Sequence, residues 1–200
     1  EVAQIIADQL IGVDGISKVD IAGPGFINIM LNRASQAALV ETILKSTKDF
    51  GKGNALAGVK INLEFISANP TGPLHLGHTR WAAVGDALGR VLTAAGAQVT
   101  REFYINDRGN QMDYFGQSVE AVALGNPVPE NGYQGEYIKD LAAAVVAQNS
   151  GIKDLPAEER FVAFREAAYQ LQLKDQQRVL DTFNTHFDVW FSERSLHDQG

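Results

Sequence analysis

Apolar and polar residues alternate in one stretch of this chain, while elsewhere apolar residues mostly recur every three to four positions. Val59, Ile61, Leu63 and Phe65 alternate with Lys60, Asn62 and Glu64, which is strand spacing. A loop containing Pro70, Gly72 and Pro73 follows. Residues 74–95 then predict a helix with Val84, Leu88, Val91 and Leu92 on one face, stopped by Gly96. Residues 98–105 predict a second strand. Strand, helix and strand in about fifty residues make a βαβ unit, so the strands should be parallel and the crossover right-handed.

Ahead of this unit, Val2, Ile5, Ile6 and Leu10 predict the end of a helix over 1–11. Extended segments near 17–21 and 26–31 are separated by Gly23, Pro24 and Gly25, which predicts a hairpin-like turn. Ser35 is a candidate cap for a helix to about Phe50, with Ala38, Leu39, Ile43 and Leu44 on one side. Glycines 51 and 53 end it. Beyond Ile105 the pattern is helical: 110–124, 137–148, and a long helix from Pro156 to about His186. The long helix has an apolar stripe of Phe161, Phe164, Ala168 and Leu171, then Leu180, Phe183 and Phe187. Residues 189–191 suggest a short strand. The predicted class is α/β. An incomplete Rossmann-type unit over 58–200, helical from about 110, follows the tail of a small α+β domain over 1–54.

The chain has 200 residues, 45% of them hydrophobic, enough to bury a core. It has no Cys, which excludes disulfides and thiolate metal sites. No segment reads as a membrane span or a signal peptide, so a soluble, intracellular protein is expected. A start at Glu1 instead of Met suggests an excised piece. The net charge of −7 is uneven. Residues 1–59 hold five basic and six acidic groups, 60–108 five and four, and 109–200 seven and fourteen. The middle segment alone is not acidic, so a local phosphate site fits it despite the global sign.

Ligands of open α/β sheets bind beyond the carboxyl ends of the strands, where residues 66–78 fall. His75 and His78 are three apart at a predicted helix start and face one side. Each imidazole can donate to a phosphate oxygen and stabilise charge building on an α-phosphate under attack. Unpaired N–H groups and the positive end of the helix dipole favour the same ligand, and Gly77 permits close approach. The Walker A and GxGxxG patterns are both absent here. A metal held by the two histidines would lack further ligands, so no metal site is assigned. A plain helix-start hydrogen-bonding role for the pair stays open beside the phosphate role.

The run Leu63-Glu64-Phe65-Ile66-Ser67-Ala68-Asn69-Pro70-Thr71-Gly72-Pro73-Leu74-His75-Leu76-Gly77-His78 resembles the His-x-Gly-His signature region of class I aminoacyl-tRNA synthetases. With Ala83-Val84-Gly85-Asp86-Ala87-Leu88 and Tyr104-Ile105-Asn106-Asp107-Arg108-Gly109-Asn110-Gln111, it is similar to bacterial arginyl-tRNA synthetases, most densely over 57–120. The resemblance implies ATP-dependent activation of L-arginine and its transfer to tRNA(Arg), with Mg²⁺ accompanying ATP. It implies a cytoplasmic monomer with no membrane partner. It implies His75 and His78 as catalytic, and Pro73, His75, Gly77 and His78 around ATP. It also implies Glu64, Ser67, Asn69 and Asn106 around arginine.

Other readings remain beside these. Glu64 also fits a polar residue partnered by a local Arg, Asn69 an Asx-type turn before Pro70, and Asp107 a cap for the following helix. Arg80 fits a solvated helix position. The family's second ATP motif and anticodon-reading domain do not occur in these 200 residues, so an inactive isolated chain is expected. A nucleotidyltransferase sharing the His-x-Gly-His loop and a non-catalytic nucleotide-binding module are the competing functions.

Overall fold

The structure is a computed structural model describing residues 1–198, without the side chains of Ser35, Gln36 and Asp198. It comprises two compact units, Glu1–Lys52 and a second from Gly53 onward.

In the first unit, helix α1 (Val2–Leu10) is followed by strands β1 (Ile16–Ala22) and β2 (Phe26–Leu31), which pair antiparallel with Ala22 opposite Phe26. Gly23 and Gly25 take positive φ in the turn, as the Gly-Pro-Gly sequence led one to expect. Helix α2 (Arg33–Ser46) starts before Ser35 and passes into a single 3₁₀ turn at Thr47–Asp49. A capping role for the Ser35 side chain lies outside the described residues. Leu39, Ile43 and Leu44 share a side of α2 as predicted, yet all three are exposed. An apolar stripe is buried only where a second surface meets it.

The second unit is built on a parallel sheet ordered β3-β4-β5. Strand β3 (Lys60–Glu64) pairs with β4 (Gln98–Ile105), placing Glu64 beside Glu102, and β4 pairs with β5 (Val189–Ser192), placing Ile105 beside Ser192. The α/β class and the parallel pairing of the first two strands are as expected, and β5 is a full third strand. Between β3 and β4 runs helix α3 (Leu76–Ala94), two residues shorter at its start than predicted. Helices α4 (Asn110–Ala123), α5 (Glu136–Gln148) and α6 (Ala157–Thr182) separate β4 from β5, and a short α7 (Ser195–Asp198) ends the described chain.

The predicted apolar face of α3 is not its buried one. Val84, Leu88 and Val91 are exposed, as is Trp81. Ala82, Gly85 and Gly89 are buried instead. A Cβ on Gly85 would come within 2.2 Å of the Phe65 ring, so only glycine permits this approach. Phe65 in turn joins Phe187, Phe103 and Trp190 in an aromatic cluster with centroids 4.5–5.5 Å apart.

The core lies between β4 and helices α4 to α6. Phe103, Met112, Phe115, Val119, Ile138, Val145 and Phe164 are almost wholly buried. Each such side chain contributes about 1.5–3 kcal/mol of burial free energy. Helix α6 ends at Thr182, short of the expected His186, and Asn184 takes φ 59 just beyond it. Asn is among the residues that tolerate that conformation at a helix end. The buried line of α6 runs Phe164, Ala168, Gln172, Gln176, Leu180, in steps of four. Two glutamines thus continue the apolar stripe. Among the described residues, no helix is long and apolar enough to cross a membrane.

Candidate active site

Both parallel strands end at one sheet edge in a three-residue turn. After β3, the Ser67 N–H donates to Phe65 O at 2.9 Å, and Ile66 and Ser67 take φ 69 and 44. Left-handed backbone is costly for a β-branched residue, so the surroundings must hold it. Ser67 Oγ donates to Glu64 Oε1 at 2.7 Å and accepts from the Tyr104 N–H at 3.2 Å. The bend thereby fixes one Glu64 oxygen and joins β3 to β4. Glu64 itself is exposed, on the same face of β3 as exposed Lys60 and Asn62.

After β4, the Asp107 N–H donates to Ile105 O at 3.0 Å, turning the chain at half-buried Asn106. Asp107 does not cap α4, whose N-cap is Gly109. Its carboxylate is 1% exposed and accepts from Tyr169 Oη at 2.9 Å, Ser192 Oγ at 2.6 Å and the Arg194 N–H at 3.2 Å. Arg194 also donates to Asp107 O and pairs with Glu166 at 2.6 Å. Burial pushes the Glu166 carboxyl up, but hydrogen bonds and charge from Arg194 and Arg165 outweigh it and hold the group below its usual range. Burial first, then Asp107, pushes the Tyr169 hydroxyl up, so it remains a donor. A buried charge needs several donors, and the tip of β4 is where they converge.

The signature loop meets this edge through Asn69, whose Nδ2 donates to Gln111 Oε1 at 2.7 Å. That contact engages Nδ2, whereas the Asx turn considered for Asn69 would engage Oδ1. Pro70 and Thr71 are buried, while Pro73 is exposed. The loop delivers His75 as the N-cap of α3.

The two imidazoles stack with centroids 3.8 Å apart. The Gly77 N–H donates to His75 Nδ1 at 3.1 Å, and the His75 N–H donates to His78 Nδ1 at 3.1 Å. A backbone amide can only donate, so both Nδ1 atoms are acceptors and both neutral rings carry their proton on Nε2. The helix-start role and a donor role therefore coexist. The N–H groups of His75 and Gly77, expected to be open to an anion, are already used. A Cβ on Gly77 would lie 3.0 Å from His75 Cε1, so the ring would have to give by a few tenths of an ångström. Burial first, then the His75 charge, holds His78 below its ordinary 6.5. Arg80 lies 5.8 Å over the Trp81 ring on an exposed face.

The site has a sign. Burial, then the carboxylates of Glu193, Asp107 and Glu64, raise the Tyr104 hydroxyl above its ordinary value. Asp107 is buried and bonded, which leaves Glu64 and Glu193 as the carboxylates that favour a cationic ligand here. A cavity of about 280 Å³ lies beside His78, lined also by Leu74, Ala82, Arg178 and Phe183 among others.

The parallel β3-β4-β5 sheet and its crossover helices have the fold of a class I tRNA synthetase catalytic domain. A match to the family described as tRNA synthetases class I (R), catalytic domain, spans residues 39–191, and a match to the arginyl tRNA synthetase N terminal domain spans residues 1–31. The chain belongs to the arginyl-tRNA synthetase family. It is 49% identical over 200 residues to the arginine–tRNA ligase of Micrococcus luteus and 50% identical to that of Paenarthrobacter aurescens. All of this chain is covered in both, but only 36% of either relative. A Campylobacter jejuni structure assigned to arginyl-tRNA synthetase superposes with TM-score 0.74 at 34% identity, over 84% of this chain and 38% of that one. The Thermus thermophilus arginyl-tRNA synthetase shares the fold with TM-score 0.59 at 24% identity, over 96% of this chain and 32% of that one.

Proposed function

We propose that this chain is the N-terminal portion of an arginine–tRNA ligase. The whole protein activates L-arginine with ATP and passes the arginyl group to tRNA(Arg). An arginine carboxylate oxygen attacks the α-phosphorus, and pyrophosphate leaves. The terminal ribose hydroxyl of tRNA then attacks the acyl carbon, and AMP leaves. The observation that carries the reading is the histidine pair. Their Nδ1 atoms are occupied by backbone donors, so two Nε2–H groups point charge-stabilising bonds away from the helix start. Pro73 and Gly77 complete the ATP side.

Glu64, oriented by Ser67, takes the substrate guanidinium, and Asn69 and Asn106 take its amino-acid end. The carboxylate-lined edge favours that cation over a neutral ligand. Mg²⁺ supplies charge neutralisation on the triphosphate when bound. Among the described residues no group of three His, Cys, Asp or Glu side chains is placed to hold a metal ion. The same reading makes the protein a cytoplasmic monomer, with residues 1–54 belonging to a tRNA-contacting domain and 58–200 to the catalytic one.

The chain spans 36% of the length of the relatives it matches. Arginine-dependent pyrophosphate exchange, with tRNA present, is expected from the full-length protein and not from these residues alone. Exchange by the 200-residue chain would show the pockets complete without the remainder. A full-length protein that preferred another amino acid would overturn the substrate.

A further inference from the structure

The loop from Asn69 to Pro73 has two prolines, so it lacks two amide donors and cannot build a backbone ladder of its own. Its buried carbonyls need donors from elsewhere. Gln176, wholly buried in the last third of α6, supplies two of them. Its Nε2 donates to Asn69 O at 3.0 Å and to Gly72 O at 2.8 Å. The two bonds bracket Pro70 and Thr71. Tyr137 Oη on α5 donates to Thr71 O, between them, at 3.1 Å. Three carbonyls in four residues are thus held by side chains of the helical segment.

The orientation of the Gln176 amide is forced. Turning it over would set its oxygen against both carbonyls. In the orientation adopted, Oε1 is buried without a partner among the described residues. A position that tolerates an unpaired acceptor is one at which the two donors matter. Lys or Arg would bring the donors with a buried charge. Burial, then Tyr133, pushes the Tyr137 hydroxyl up to about 12, so it stays a donor at neutral pH.

We propose that Gln176 is a positioning residue for catalysis: from α6 it holds the carbonyls of Asn69 and Gly72, and so sets where the loop presents His75 and His78, with Tyr137 as its partner. This rests on the assignment of the two histidines to the triphosphate. The Asn69 side chain has its own anchor at Gln111, so loosening the carbonyls falls mainly on the histidine side of the site.

The test is arginine-dependent pyrophosphate exchange by the full-length synthetase. Gln176→Met keeps the volume of the side chain and removes both donors. It should lower kcat by about tenfold, with the KM for arginine moving less than about threefold. The same substitution in a His75→Asn/His78→Asn background should cost less than about twofold, because the groups it positions are gone. Equal losses in both backgrounds, or no loss in either, overturn the proposal. If Gln176→Met does not fold by circular dichroism, Tyr137→Phe carries the test. It removes one hydroxyl, with an expected loss of about threefold and the same background dependence; no loss there is equally fatal. Unchanged turnover in the histidine double variant would instead overturn the triphosphate assignment, and the role of Gln176 with it.

Discussion

Tyr169 and Asp107 are 62 residues apart in the chain, yet the Tyr169 hydroxyl donates to the buried Asp107 carboxylate at 2.9 Å. That bond and those from Ser192 and Arg194 fasten the turn after β4 to α6 and to the end of β5. Asp107→Asn replaces an acceptor-only group with one that presents N–H to donors. Leaving buried donors unpaired costs about 1–3 kcal/mol. Urea unfolding of this chain should report a loss in that range with an unchanged m-value. A variant as stable as the parent would show that the network is replaced by solvent.

His78→Asn in the full-length synthetase should lower the turnover of arginine activation by about tenfold or more, with little change in the KM for arginine. Removing one preorganised donor typically costs about 10²–10³ in rate, and Asn retains part of that function. A change confined to KM would move His78 from transition-state stabilisation to ground-state binding.

Glu64→Gln should raise the KM for arginine strongly and narrow its advantage over citrulline. A neutral amide cannot offset a desolvated guanidinium. Ser67 would still hold the side chain in place, so the effect isolates charge. Intact discrimination with reduced turnover would remove Glu64 from the specificity pocket.

His78 is held below 6.5 by burial and by the His75 charge, so the folded chain binds fewer protons than the unfolded chain just below that pH. Its contribution to stability is therefore complete above about 6.5 and is lost as pH falls through the folded value. Protonation also removes the Nδ1 lone pair that accepts from the His75 amide. Nuclear magnetic resonance titration should place the His78 midpoint below 6.5, and His75→Asn should move it upward. A midpoint at or above 6.5 would contradict the stacked, backbone-bonded ring.

Gly85→Ala should destabilise the second unit by about 1–3 kcal/mol, the usual cost of overpacking. The added methyl meets the Phe65 ring at 2.2 Å. Gly125→Ala is the control: Gly125 has open space for a Cβ but φ 75, so strain alone acts there. Thermal melts of both variants separate the clash from the conformational term.

Much of the second unit was legible because its signals are local. Residues 98–105, read as the second strand, form β4 with those ends, and the βαβ spacing implied parallel strands. His75 and His78 were readable because helix starts have few solutions for their free amides. The face of α3 was not, because burial there follows where backbone can approach sheet, and glycine leaves no mark in an apolar pattern. Gln176 escaped for a related reason: its partners are carbonyls about a hundred residues away. The step of four from Phe164 through Ala168 to Leu180 was the available clue. Asp107 looked like a cap because its partners Tyr169, Ser192 and Arg194 are all distant in sequence.

The parallel pairing of β5 with β4 also orders events on the ribosome. Residues 60–105 are made first, and one edge of β4 waits for residues 87 positions later, such as Asp188 for Arg101. At about 5–20 residues per second that wait lasts roughly 4–17 s. An unpaired strand edge is a template for the wrong partner. For those seconds a nascent chain offers Phe103 and Ile105 beside an open row of amides, and a chaperone that shields apolar strands has its substrate.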